Sequence, residues 1–359
     1  MPSTVQRLHK LGLIKPPSHI IGSIAYEAIV GSVSYGVTDD TSDMDVQGFS
    51  IPPKYMIFPH MAGIIKGFGD QGQNFEQWIQ HHVICKDENR QYDFTIYSIT
   101  KFFQLCMECN PNMLGVLFVP PRCILHCTSV GNIVRENRKA FLHAGALHKY
   151  KGYAHSQLYK TETKEHKGLA ELIEFEQAHN IPNTVTLAEA HAEFEKRGTI
   201  QSLSHLNDID AETYKNMYQI AFNHSKRIEK VKIQGYDTKF LYHVVRLVLE
   251  CEQILINGDI DLERDREQLK AIRRGERDIK DVKDWFKEKE LTMEKLYQDA
   301  ITTKRLPKFP DEAKIKGILL NCLEEHYGSL SSAEIVKEDE SITALRNIKN
   351  IVDNIRGIE

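Results

Sequence analysis

The chain has 359 residues, a formal charge of −4 and an even mix of 46 basic and 50 acidic side chains. That length can bury a full core in two domains, or in one domain with a helical extension. The near-neutral balance excludes a protein coated in basic surface, so any nucleic-acid contact must be a local patch. No apolar run approaches the roughly 20 residues that a bilayer span needs. The seven cysteines are scattered, with no paired framework and no secretory leader at the N-terminus. The expectation is a protein of a reducing cytoplasm with no membrane partner.

In chain order, QRLHKLGLI predicts a short helix stopped by Lys15-Pro16-Pro17, and the apolar stretch from His19 to Val30 follows with an interruption at Gly22-Ser23. Ala28-Ile29-Val30 reads as the end of a short buried strand. It leads into GSVSYGVTDDTSDMDVQG, residues 31–48, which joins a small-residue turn to two carboxylates one residue apart. Gly31-Ser32 gives a turn that a phosphate can approach closely. Strand alternation places Asp43 and Asp45 on one face and Met44 and Val46 on the other, where two carboxylates can share a divalent ion. The earlier GSIAY at Gly22 imitates this turn but lacks a nearby aspartate pair. Asp39 and Asp40 read as turn or cap residues.

The aspartate strand continues to Ile51 and ends at Pro52-Pro53. Residues 59–90 form an irregular, glycine-containing insert expected to be a lid or a hairpin. QYDFTIYSI, residues 91–99, alternates with period two and predicts a strand carrying Asp93. Ser98 caps a helix through Glu108, which closes at Asn110-Pro111, and a second short helix, MLGVLFV, stops at Pro120-Pro121. Cys106 and Cys109 form a CxxC inside this apolar run. With no second ligand pair at zinc-like spacing, they read as core.

From about residue 129 the pattern changes to long charged helices. Helices are expected over 130–144 and 146–166, over Thr213–Lys232, and over Thr238–Asn257 with a stop at Gly258. Residues 264–290 carry ten Lys or Arg against eight Asp or Glu, the pattern of a solvated face. Pro307 and Pro310 set off a last helix from Asp311. In the 238–257 helix, Lys239, His243, Arg246 and Glu250 fall on one stripe, opposite a packed stripe of Phe240, Val244, Leu247 and Cys251. Tyr153, Gln157 and Lys160 form another stripe, suited to stacking on a base or to packing between domains. Arg273 and Arg274 are further candidates for phosphate contact.

Three carboxylates suffice for two-metal phosphoryl transfer, in which one ion activates the attacking hydroxyl and the other holds the triphosphate and the leaving group. Asp93, on a crossing strand, is the candidate third. Oxygen donors suit Mg²⁺, whose remaining ligands are water and substrate phosphates. The rival readings are a metal-dependent phosphohydrolase and a catalytically silent protein that binds nucleic acid or regulates a partner.

The GSxSYG turn, SDMD and the strand with Asp93 resemble the DNA polymerase β-like nucleotidyltransferase superfamily. More narrowly, the chain resembles a family of nucleotidyltransferases that includes RNA-ligase-associated polymerases. That likeness rests on SYG with SDMDVQGF, YSITKFFQLCMECNPNMLGVLF, KYKGYAHSQL, and GYDTKFLYHVVRLVLECEQILINGDIDL with AIRRGE. The resemblance implies an α+β fold: a small mixed-sheet, palm-like catalytic domain over residues 1–128, then an α-helical domain over 129–359 forming the other wall of a cleft. It implies metal binding by Asp43, Asp45 and Asp93, with Asp93 helping to deprotonate the acceptor. It also implies nucleotide binding by Gly31, Ser32, Tyr35, Lys239, His243 and Arg246. Two Mg²⁺ ions, with Mn²⁺ as a substitute, would serve a nucleoside triphosphate substrate. The acceptor implied is an RNA 3′ end, with RNA-repair proteins as partners; a protein hydroxyl or a small molecule would use the same carboxylates. One departure is Gly115, where family members commonly carry an acidic residue.

Overall fold

The computed structural model describes residues 2–37, 43–58, 75–163, 168–185, 189, 208–222 and 227–328. The expectations for Asp39, Asp40 and the glycine-containing part of the insert at 59–74 lie outside these residues. Among the described residues, five strands form one mixed sheet in the order β3-β4-β2-β1-β5: β1 Ile24–Ile29, β2 Met44–Ser50, β3 Gln77–Cys85, β4 Arg90–Ser98 and β5 Ile124–Cys127. All neighbours are antiparallel except β2 and β4, which run parallel. The aspartate strand is therefore central, and the strand with Asp93 lies directly beside it. Gly48 is required where β1 and β2 press together, because a Cβ there would collide with the Tyr26 carbonyl.

Alternation assigns the two faces. Val46, Tyr92, Phe94 and Ile96 turn toward helices α1 (Thr4–Lys10) and α2 (Ser18–Ile21), where Val5, Leu8 and Ile20 complete a core. Helix α1 is held by a capping box of Ser3 with Gln6. Its first turn also donates to a buried carboxylate: Thr4 and Val5 N–H reach Glu27 of β1 at 2.6 and 3.1 Å. The other face belongs to the main core, with Tyr26, Phe49, Phe102 and Phe103 among its large side chains.

The insert is half legible. Beyond residue 74 it becomes β3, the edge partner of β4 in a hairpin, so the hairpin alternative holds there. A short helix α3 (Lys54–Ile57) follows the two prolines. Ser98 caps α4 (Ile99–Met107) by accepting from Lys101 N, and the Asn110 side chain caps α5 (Pro111–Leu117). Cys106 and Cys109 are buried free thiols, as the core reading expects. Strand β5 is an addition: four residues behind Pro120-Pro121 carry too little pattern to register, and pairing with β1 makes them a strand.

The expected helix over 130–144 is shorter, α6 (Ser129–Glu136), followed by a single tight turn at Arg138–Phe141. Then come α7 (Ala146–Thr163), α8 (Leu169–Ala178), α9 (Asp208–Phe222) and α10 (Arg227–Gln234), the last two covering the described residues of the helix expected over 213–232. Helices α8 to α10 share a small core around Leu172, Tyr214 and Tyr218. Its interior holds a buried ion pair, Lys232 with Glu176 at 2.6 Å. Helix α11 (Thr238–Asn257) begins at the Asp237 cap and ends at Gly258 with φ +59°, as predicted. The charged stretch forms α12 (Arg266–Arg274) and α13 (Ile279–Thr302), and it is not wholly a solvated face: Leu269, Ile272, Val282 and Phe286 are buried. Helix α14 (Glu312–Tyr327) starts at the Asp311 cap. The main core joins side chains of α4 and α5 to those of α7, α11, α13 and α14, so it runs without a break across residue 128. The architecture is α+β, a small mixed sheet followed by helices.

Candidate active site

The turn that follows β1 is tied to the sheet at its first residues. Val30 N–H donates to the Asp45 carbonyl at 2.8 Å, and Ser34 Oγ donates to the Gly31 carbonyl at 2.9 Å. Gly31 sits at φ +69°, and a Cβ there would stand 2.5 Å from Asp45 Oδ2. Only glycine lets the turn lie this close to the carboxylate.

Parallel pairing sets Asp45 directly opposite Asp93. Val46 and Phe94 occupy the α1 side of the sheet, so both carboxylates stand on the other face. Burial pushes the Asp45 carboxyl above its ordinary value, and Asp93 and Asp43 push it the same way, with Lys239 and His81 opposing. Edge strand β3 fixes Asp93. Its register slips between Gln80 and Val83, so His81 and His82 together oppose Asp93 in a β-bulge, with His82 at φ +58°. The bulge aims His82 N–H at Asp93 Oδ1, 2.7 Å away, and leaves His81 Nδ1 3.5 Å from Asp93 Oδ2. Sequence reasoning missed both histidines. The signal was the broken alternation in QWIQHHVIC, where Gln80, His81 and His82 make three adjacent polar residues.

A cleft of about 490 Å³ collects these groups. Gly31, Ser32, Asp43, Asp45 and Asp93 line it from the sheet, and Lys239, Tyr242, His243 and Arg246 line it from α11, with Arg273 from α12. The volume lies in the range of small-molecule sites. The polar stripe on α11 is not uniformly solvated. Lys239 is exposed and His243 half-buried, while Arg246 and Glu250 are buried. Arg273 also hydrogen-bonds the Val37 carbonyl at 3.0 Å and lies over the Tyr242 ring, so α12 grips the end of the turn.

The remaining candidates lie elsewhere. Tyr35 does not line the cleft: it is 2% exposed, and its hydroxyl donates to Glu250 Oε1 at 2.7 Å while accepting from Arg246 at 3.0 Å. Its position beneath the turn follows from packing against α11, which the spacing of GSVSYG does not reveal. Gly115 is outside the lining as well, and a Cβ on it would stand 3.4 Å from the Tyr35 hydroxyl. Tyr153 accepts a hydrogen bond from Asn110, and neither Tyr153, Gln157 nor Lys160 lines the cleft. Arg274 pairs with Glu276 on the surface.

The donor set suits a hard divalent ion. All three groups are carboxylates, and the repulsion that adds to burial in raising Asp45 is what a cation would relieve. Among the described residues, no three His, Cys, Asp or Glu side chains converge closely enough to form a complete cage. Mg²⁺ does not need one, because it takes one or two carboxylates and completes its shell with water and substrate phosphates.

Residues 5–173 match the model of the RNA repair pathway DNA polymerase beta family. A 38.9 kDa protein from the nrdC–mobD intergenic region of Enterobacteria phage T4 is 26% identical over 136 residues, 37% of this chain and 37% of its own length. This chain therefore spans little more than a third of that relative. A nucleotidyltransferase-like protein from Exiguobacterium sibiricum 255-15, known from its crystal structure, is 9% identical over 79% of this chain and 90% of its own, with a TM-score of 0.23. The matched residues 5–173 hold the turn and all three carboxylates, whereas Lys239, His243, Arg246 and Arg273 lie beyond them. Through those residues, just under half of the chain, the protein is similar to the DNA polymerase β-like nucleotidyltransferases.

Proposed function

We propose that this cleft transfers a nucleoside monophosphate from a nucleoside triphosphate to an acceptor hydroxyl, releasing pyrophosphate, and that the acceptor is an RNA 3′ end. One observation carries the reading: strand-borne carboxylates and helix-borne cations line the same cleft as a small-residue turn. An anionic triphosphate and its counterions need both kinds of group. The family description supplies the RNA-repair setting and favours RNA over a protein hydroxyl or a small molecule. With a formal charge of −4, the chain would meet RNA through the local cationic wall.

Asp43, Asp45 and Asp93 would hold the divalent ions, Mg²⁺ or Mn²⁺. Two such ions supply activation of the attacking hydroxyl and neutralisation of charge on the leaving pyrophosphate. The chain's own residues do the rest. Gly31 and Ser32 receive phosphate through backbone N–H groups and the Ser32 hydroxyl, and Gly31 keeps that backbone close to Asp45. Lys239, His243, Arg246 and Arg273 offset phosphate charge. Asp93, braced by His82 N–H, takes the proton of the acceptor hydroxyl at its carboxylate. Catalysis comes from positioning and charge stabilisation.

The test incubates purified protein with each labelled nucleoside triphosphate, Mg²⁺ and mixed RNA. Labelled RNA supports the proposal, labelled protein indicates self-modification, and free phosphate indicates hydrolysis. Combined Asp43→Ala and Asp45→Ala should abolish transfer while leaving thermal melting in place. Undiminished transfer by that double variant would refute the site.

A further inference from the structure

Tyr35, Arg246 and Glu250 form a closed polar ring beneath the cleft. Tyr35 Oη donates to Glu250 Oε1 at 2.7 Å, Arg246 Nη1 donates to Tyr35 Oη at 3.0 Å, and Arg246 Nε lies 3.7 Å from Glu250 Oε1. The guanidinium also stacks over the Tyr35 ring, 5.0 Å from its centre. All three residues are buried, yet Arg246 still contributes to the lining of the cleft. Tyr35 belongs to the turn whose first two residues line the same cleft. The ring therefore bolts α11 to that turn.

A buried ion pair of this kind is a poor stabiliser. Desolvation of both charges opposes it, and apolar residues of similar volume would often serve as well. Here the satisfaction is also incomplete, because Arg246 Nε is buried without a hydrogen-bond partner. Burial raises the Glu250 carboxyl, against the pull of Arg246 and of the Tyr35 and Tyr150 hydroxyls. An arrangement that is costly in a core and opens on one side into an anion-suited cleft fits a positioning role better than a packing one.

We propose that Glu250 and Tyr35 are positioning residues that hold the Arg246 guanidinium at the cleft wall, ready for a nucleotide phosphate, and lock the Gly31-Ser32 turn opposite it. Neither touches the nucleotide. The inference rests on the triphosphate reading of the cleft and deepens it, since it assigns phosphate recognition to a preorganised arginine. It also gives Tyr35 a role different from the direct nucleotide contact expected from the motif.

The discriminating measurement is equilibrium binding of ATP, GTP, CTP and UTP, and of the corresponding monophosphates, with Mg²⁺ by calorimetry. It is made on the full chain and on two conservative variants, Tyr35→Phe and Glu250→Gln, with folding checked by melting. For the triphosphate that wild type binds best, both variants should bind about tenfold more weakly, the loss of one charge-assisted contact. Their affinity for the matching monophosphate should stay unchanged. A merely structural ring would weaken both ligands together or neither, and either result overturns the proposal. A wild-type chain that binds no triphosphate overturns the underlying reading of the cleft, and this inference with it.

Discussion

Gly31 is the position where a single methyl group tests the site most sharply. In Gly31→Ala the new Cβ would stand 2.5 Å from Asp45 Oδ2, about 0.9 Å short of ordinary contact at 3.4 Å, and the backbone would be held at φ +69°. The left-handed conformation costs an L-residue about 1–2 kcal/mol, which lowers the melting temperature by roughly 1–3 °C for a chain of this size. Relief of the contact must come from the turn or from the carboxylate. Because Val30 N–H is bonded to the Asp45 backbone, the turn cannot withdraw without dragging the strand. The Asp45 side chain therefore moves by close to an ångström, a displacement that can cost about 10²-fold in rate.

The assay is nucleotide transfer under saturating Mg²⁺, run beside thermal melting, with Gly12→Ala as the control. Gly12 has φ +72° and nothing within 4 Å of an added Cβ, so it carries the same backbone strain without the contact. The expected outcome is a similar fall in melting temperature for both variants and a loss of transfer for Gly31→Ala alone. Equal transfer by the two variants would refute the claim that the turn sets the position of the Asp45 carboxylate.

Two further outcomes follow from the same geometry. Deleting His82 restores regular pairing of β3 with β4 and removes the N–H that holds Asp93 Oδ1; transfer should fall about 10–100-fold, as for other groups that orient metal-binding carboxylates. His82→Gly, which keeps the N–H and the positive φ, should retain activity, and a fully active deletion would remove the bulge from the mechanism. Glu27 provides a pH test of stability away from the cleft. Burial raises its carboxyl above the ordinary 4.5, against the donors Thr4 and Val5. Between the ordinary and the raised value the folded chain keeps a proton that the unfolded chain releases, so stability falls as pH rises through that window. Melting followed over pH should show this slope in wild type and a flatter curve in Glu27→Gln; parallel curves would contradict it.

What the sequence disclosed was mostly local. Ser98, Asn110, Asp237, Gly258 and Asp311 announce their helix ends because a cap is chemistry between near neighbours. The Asp43–Asp45 alternation and the strand around Asp93 were equally legible, since period two is a property of one strand. Pairing between strands was not. Nothing local says that β2 and β4 run parallel with Asp45 opposite Asp93 or that β5 exists, and the polar run in QWIQHHVIC marks a break in alternation without saying that it faces Asp93. Tyr35 illustrates the same limit from the other side: its neighbours in GSVSYG suggest a ligand contact, whereas its partners are 211 and 215 residues away.

The division of the cleft between two stretches of chain has a further consequence. The family match ends at residue 173, so it accounts for the carboxylates and the turn, while every cationic side chain on the opposite wall comes from residues 239–273. These stretches are not independent modules joined by a hinge. Helix α11 contributes Leu241, Val244, Val248 and Leu255 to the core that also holds Tyr26, Phe49 and Phe102. One face of that helix packs the core, and the adjoining face presents Arg246 to the cleft. A substitution that shifts α11 to improve packing would therefore displace the cleft-facing cations, and one that tunes those cations acts on a helix fixed by the core. Differences in nucleotide or acceptor preference among chains that share the carboxylate signature are thus to be sought in this second stretch, where the shared signature does not reach.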